Sequence, residues 1–120
     1  MNKLLTSLEL KVMNLLWKLG RAHVKDLVEV WPDIEKPAYN TISTTVRILE
    51  EKQFVGHEAQ GRTHQYFPLI SKRSYQLQHI RSVLENVFAG SATSLVSALV
   101  DQEKLSDKEI DEIREMISKE

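Results

Sequence analysis

The stretch from Lys36 to Lys52 constrains this chain most, because at about 100° per residue it sorts into two chemically different faces. Ile42, Thr45, Val46 and Leu49 gather on one side, while Asn40, Ser43, Thr44 and Arg47 gather roughly opposite. The first set needs a core to lie against. The second combines small hydrogen-bonding side chains with one guanidinium, and no acid occurs between Lys36 and Leu49. Pro37 suits the entry to a helix and Glu50-Glu51-Lys52 its exit. Asn can bond adenine bidentately, Arg can bond guanine, and Thr offers a methyl to thymine, so the polar face suits the major groove of DNA.

The flanking segments supply what such a helix needs. Thr6-Ser7-Leu8-Glu9 is a capping box opening a helix whose apolar stripe is Leu8, Val12, Leu15, Leu16 and Leu19, with Met13 and Trp17 widening it and Gly20 ending it. Ala22-His23-Val24 suggests a short strand. Lys25 to Trp31 suggests a second helix, stopped by Trp31-Pro32. After Lys52 the period changes to that of strands. Residues 54–59 and 62–68 flank Gln60-Gly61 as a hairpin turn, so the first 70 residues predict a winged helix-turn-helix with Arg62 at the wing tip. Base reading is assigned to Asn40, Ser43, Thr44 and Arg47. Backbone contacts are assigned to Lys36, Tyr39, Thr41 and Arg62.

From Ser71 the chain turns helical and more acidic. Leu77, Ile80, Val83, Leu84, Val87 and Phe88 follow helical steps. Leu95, Leu99 and Val100 mark a shorter helix, and Ser106 and Glu109 form a second capping box before Ile110, Ile113, Met116 and Ile117. Amphipathic helices in so short a tail need a partner, and another copy of the tail is expected. The predicted dimerisation set is Leu77, Ile80, Leu84, Val87, Phe88, Leu95, Leu99, Ile110, Ile113 and Ile117. The expected fold is mainly α, with residues 1–70 as a winged helix-turn-helix DNA-binding head and 71–120 as a helical C-terminal dimerisation tail.

Composition excludes several alternatives. The net charge of −1 gives no global basic footprint, and the halves divided at residue 70 carry only +1 and −2. Zero cysteines exclude disulfides and thiolate metal sites. The absence of an 18-residue apolar run and of a signal-peptide pattern predicts a soluble cytoplasmic protein with no membrane insertion. No Gly-rich loop, nucleophile elbow or metal-helix motif occurs, so no catalysis and no cofactor are expected. With Gln60-Gly61 as the turn, His57 opposes His64 on one face, but Glu58 points away and no third ligand is visible, so no metal is assigned.

Leu5-Thr6, Glu9, Val12-Met13 and Leu15-Leu16-Trp17, then Ala38-Tyr39, Thr41, Thr44-Thr45, Arg47, Leu49-Glu50-Glu51-Lys52, then Gly61-Arg62, His64, Tyr66 and Pro68-Leu69, resemble the penicillinase repressor family (BlaI/MecI/CopY). So do Phe88, Gly90-Ser91, Ser94-Leu95-Val96 and Leu105-Ser106 with Glu109-Ile110. The resemblance spans nearly the whole chain. It implies a homodimeric transcriptional repressor that binds a double-stranded palindromic operator with TACA and TGTA half-sites. In β-lactam-sensing members a regulatory protease pathway ends in cleavage of the tail, which relieves repression. Ala98-Leu99 occupies the place of the scissile Asn-Phe pair, which leaves control by cleavage open, and the lack of cysteine sets this chain apart from the copper-responsive branch. The alternative is a winged helix used as a protein-interaction module without DNA binding.

Overall fold

The computed structural model describes residues 4–118, which form α1 (Ser7–Leu19), α2 (Val24–Glu29), α3 (Tyr39–Glu51), β1 (Val55–Gln60), β2 (Thr63–Pro68), α4 (Lys72–Asn86), α5 (Ala92–Asp101) and α6 (Asp107–Ser118). They separate into two compact units divided between His79 and Ile80.

In the first unit, α1 starts where the capping box places it. The Glu9 N–H donates to Thr6 Oγ1 at 3.2 Å and the Thr6 N–H donates to Glu9 Oε1 at 2.9 Å. Gly20 ends the helix with φ 83°. Val12, Met13 and Leu16 of α1 meet Leu27 of α2, Ile42, Val46 and Leu49 of α3, and Phe54 and Val55 of the hairpin in one buried core. Thr45 joins this buried face despite its hydroxyl, which donates to the Thr41 carbonyl at 2.8 Å and so needs no water. The helix begins later than the sequence suggests. Lys36 and Pro37 precede it, with Ala38 as the N-cap residue.

The hairpin register differs from the expected one by a shift of the turn. Gly61-Arg62, not Gln60-Gly61, make the turn, so His57 opposes Tyr66 and Ala59 opposes His64. Gly61 takes φ 61° at the first turn position, where a hairpin turn of the II′ kind favours glycine. The strand expected at Ala22-His23-Val24 is reduced to one bridge. Ala22 and Tyr66 exchange both backbone hydrogen bonds, at 3.0 and 2.8 Å, and Val24 already belongs to α2.

Tyr75 in the first turns of α4 is buried with this core, its hydroxyl accepting from the Leu5 N–H at 3.1 Å and its ring set edge-on to Phe54. Trp17 Nε1 donates to the Ile70 carbonyl at 2.8 Å. These contacts explain why the compact unit runs past residue 70, where composition alone places the change. In the second unit the Ser106 and Glu109 box forms, with reciprocal bonds of 3.1 Å. Helix α4 stops at Asn86, so Val87 and Phe88 lie beyond it in the turn that Ala89 and Gly90 make with positive φ. No residue of α5 or α6 is buried within the chain.

One buried charge links α1 to the end of α3. Lys52 Nζ donates to both Glu9 carboxylate oxygens, at 3.0 and 2.9 Å, and Glu9 is only 5% exposed. Burial pushes the Glu9 carboxyl up, but the Thr6 N–H and the Lys52 ammonium outweigh it and hold it below its ordinary value of 4.5. A depressed carboxylate stabilises the fold above its unfolded pKa, and that stability is lost as pH falls through the folded one. Glu9→Gln should therefore lower unfolding free energy by about 1–3 kcal/mol at pH 7 in urea titrations. The same comparison well below the folded pKa should show most of the difference gone.

Candidate nucleic-acid interface

Burial of one side of α3 decides where the other side points. Asn40, Thr41, Thr44 and Arg47 are exposed and Ser43 is half-buried, so the residues assigned to DNA share the solvent-facing side of one helix. They do not all address the same space. Tyr39, Ser43, Arg47 and Arg62 line one crevice of about 500 Å³, whose other wall comes from α2 and the hairpin. Thr44 sits on the far flank of Arg47, in a shallower groove with Ile48 and Glu51. The Arg47 guanidinium lies back along its own helix, within 3.4 to 3.5 Å of the Ser43 hydroxyl and carbonyl. Contacts that long are weak and leave it free to turn outward. Lys36 is positioned otherwise, its ammonium donating to the Glu29 carbonyl at 3.0 Å, where it closes the end of α2.

The wing is fastened to α3 by its histidines. His57 Nδ1 pairs with the Glu50 carboxylate, and the His57 ring stacks on His64 with centroids 4.2 Å apart and planes 12° from parallel. The shifted register makes these two a diagonal pair on the same face, not a directly opposed one. Tyr66 lies beneath them. Burial raises its phenol above the ordinary value, Glu50 adds to this and Arg47 opposes it. On the other face Arg21 pairs with Glu58 and covers the Phe67 ring at 4.6 Å. Among the described residues no group of three or more His, Cys, Asp or Glu could hold a metal ion.

Three contributors escape the helical-wheel reading: His23, Lys25 and His64, which line the crevice with the assigned residues. Their signal is not periodicity. It is the tertiary bridge between Ala22 and Tyr66, which carries the start of α2 to the edge of the wing.

Two helices joined by a turn, an exposed polar face on the second and a two-stranded wing beside it define a winged-helix DNA-binding transcriptional repressor. The chain belongs to the penicillinase repressor family, whose model matches residues 5–119 and whose members are transcriptional repressors. It is similar to the methicillin resistance regulatory protein MecI of Staphylococcus aureus strain N315, at 27% identity over 115 residues covering 96% of this chain and 94% of that protein. It is also similar to the penicillinase repressor of Bacillus licheniformis, at 26% identity over 109 residues covering 91% and 85%. The solution structure of the DNA-binding domain of the repressor BlaI superposes with a TM-score of 0.54 at 26% identity, covering 62% of this chain and 94% of that one. No helix among the described residues is long and apolar enough to cross a membrane.

The histidine arrangement predicts a null result with metal. Because His57 already faces Glu50 and stacks on His64, added zinc should leave the melting temperature unchanged, and a rise of several degrees would show a site that the geometry does not contain.

Proposed function

We propose that the chain acts as a homodimeric cytoplasmic repressor on a palindromic operator, with one α3 per half-site. Asn40, Ser43, Thr44 and Arg47 read bases, and Tyr39, Thr41 and Arg62 contact the backbone. Lys36 contributes to the backbone set only by releasing the Glu29 carbonyl. The observation that carries this reading is the division of α3 into a fully buried side and an exposed polar side beside an Arg-tipped wing. A module for protein partners alone would not need a helix with no acid from Tyr39 to Leu49.

The tail supports the two-fold arrangement. Leu77, Ile80, Val87, Leu99 and Ile117 are exposed, and Leu84, Phe88, Leu95, Ile110 and Ile113 are half-buried. So much apolar surface on short helices suits burial against a second copy. We assign residues 1–70 to DNA binding and 71–120 to self-association, with Tyr75 tying the start of the tail to the head. Ala98 and Leu99 lie inside α5, so cleavage there by a regulatory protease would require that helix to open and would divide the self-associating surface.

In a gel shift against the chain's own upstream region, Arg47→Ala should weaken specific binding by about 1–3 kcal/mol, whereas Arg62→Ala should weaken all sequences alike. Equal affinity of wild type and Arg47→Ala would remove Arg47 from the reading set. By sedimentation the full chain should be a dimer and a chain ending at His79 a monomer. A dimeric truncation would overturn the role of the tail.

A further inference from the structure

We propose that the crevice between the start of α2, the exposed side of α3 and β2 seats one backbone phosphate of the DNA, with Lys25 as a fixed cation and His23 as a donor that acts when protonated. The proposal rests on the DNA-binding reading and extends it to His23, the N-cap residue of α2, and to Lys25 within that helix. Three permanent cations, Lys25, Arg47 and Arg62, line this one hollow, and no acid is among its lining residues. None of the three is paired with a carboxylate among the described residues, although the chain as a whole is slightly acidic. Cations gathered in a concave space repel one another and raise its potential, which an entering anion relieves. About 500 Å³ open to solvent accommodates a phosphodiester with its flanking sugars.

The geometry of His23 adds a proton to this event. Its Nδ1 lies 3.1 Å from the His64 carbonyl, which can only accept, so Nδ1 carries the hydrogen. In the neutral ring Nε2 then bears a lone pair, which a phosphate oxygen cannot approach favourably. Protonation turns Nε2 into a donor, and the imidazolium gives one N–H to the carbonyl and the other to the phosphate. The charged and titratable groups around this ring are Lys25 and Asp26 on α2, Tyr39 and Arg47 on α3, and Arg62, His64 and Tyr66 on the hairpin. Asp26 is already committed, its carboxylate accepting from the His23 backbone N–H at 3.0 Å. Phosphate occupancy should therefore be coupled to proton uptake.

The test uses the full chain and a short mixed-sequence duplex in fluorescence anisotropy, because a phosphate seat acts on any sequence. Lys25→Ala should reduce the slope of log affinity against log salt by about 0.9, the value of one lost phosphate contact, with Lys25→Arg restoring it. Wild-type affinity should rise between about pH 8 and pH 5.5, and His23→Gln should diminish that rise. Melting temperatures of the variants at the assay pH confirm folding. A wild-type salt slope in Lys25→Ala, or an undiminished proton dependence in His23→Gln, overturns the seat while DNA binding stands. Failure of the wild type to bind any duplex would overturn the DNA-binding reading itself, and the seat with it.

Discussion

Ile42, Val46 and Leu49 hold α3 against α1, α2 and the hairpin, and every functional feature of the head follows from that contact. Burying each of these side chains is worth about 1.5–3 kcal/mol, far more than the long contacts between Arg47 and Ser43 on the opposite side. The core therefore fixes the helix, and the residues proposed to read bases remain free to reorganise on a ligand. The ends are fixed as well. Lys52 is drawn onto Glu9 at the start of α1, and the Phe54 N–H returns to the Leu49 carbonyl at 2.9 Å, with Gln53 taking φ 67° to allow it. Because Phe54 and Val55 are buried directly after this turn, the wing leaves the helix at a set angle, and the bridge to Ala22 holds its second strand in place.

Charge is distributed to match. A net charge of −1 gives the molecule no long-range attraction for nucleic acid, so cations act only where the fold gathers them. The crevice beside α3 is such a place. With one arginine on the proposed reading face, a single head would have little specific affinity to offer, and the proposed dimer would compensate by engaging two half-sites at once. That is consistent with helices α5 and α6, none of whose residues is fully buried within the chain and whose apolar sides the proposed association would cover.

The helices were legible because their signals are local. The boxes at Thr6 with Glu9 and at Ser106 with Glu109, the stop at Gly20, and the buried set Ile42, Thr45, Val46 and Leu49 all depend on residues within a few positions of one another. The hairpin was legible as a motif but not in register. Two turns one residue apart are both compatible with Gly61, and the choice is made by Tyr66, whose side chain enters the core while its backbone bonds Ala22. Long-range pairing also hid the place of His23 and Lys25, which have no periodic signal and come to line the crevice beside α3 through that bridge. Tyr75 is the same lesson at the other boundary. Composition changes near residue 70, yet one buried tyrosine carries the core past it.

Two-fold reading of DNA by paired α3 helices is the central proposal. Hydroxyl-radical footprinting of the full chain on its own upstream region measures this. It should reveal two protected half-sites related by a two-fold axis, with centres about one helical turn, or a whole number of turns, apart. Protection of a single unpaired site, or uniform protection without phase, would contradict it.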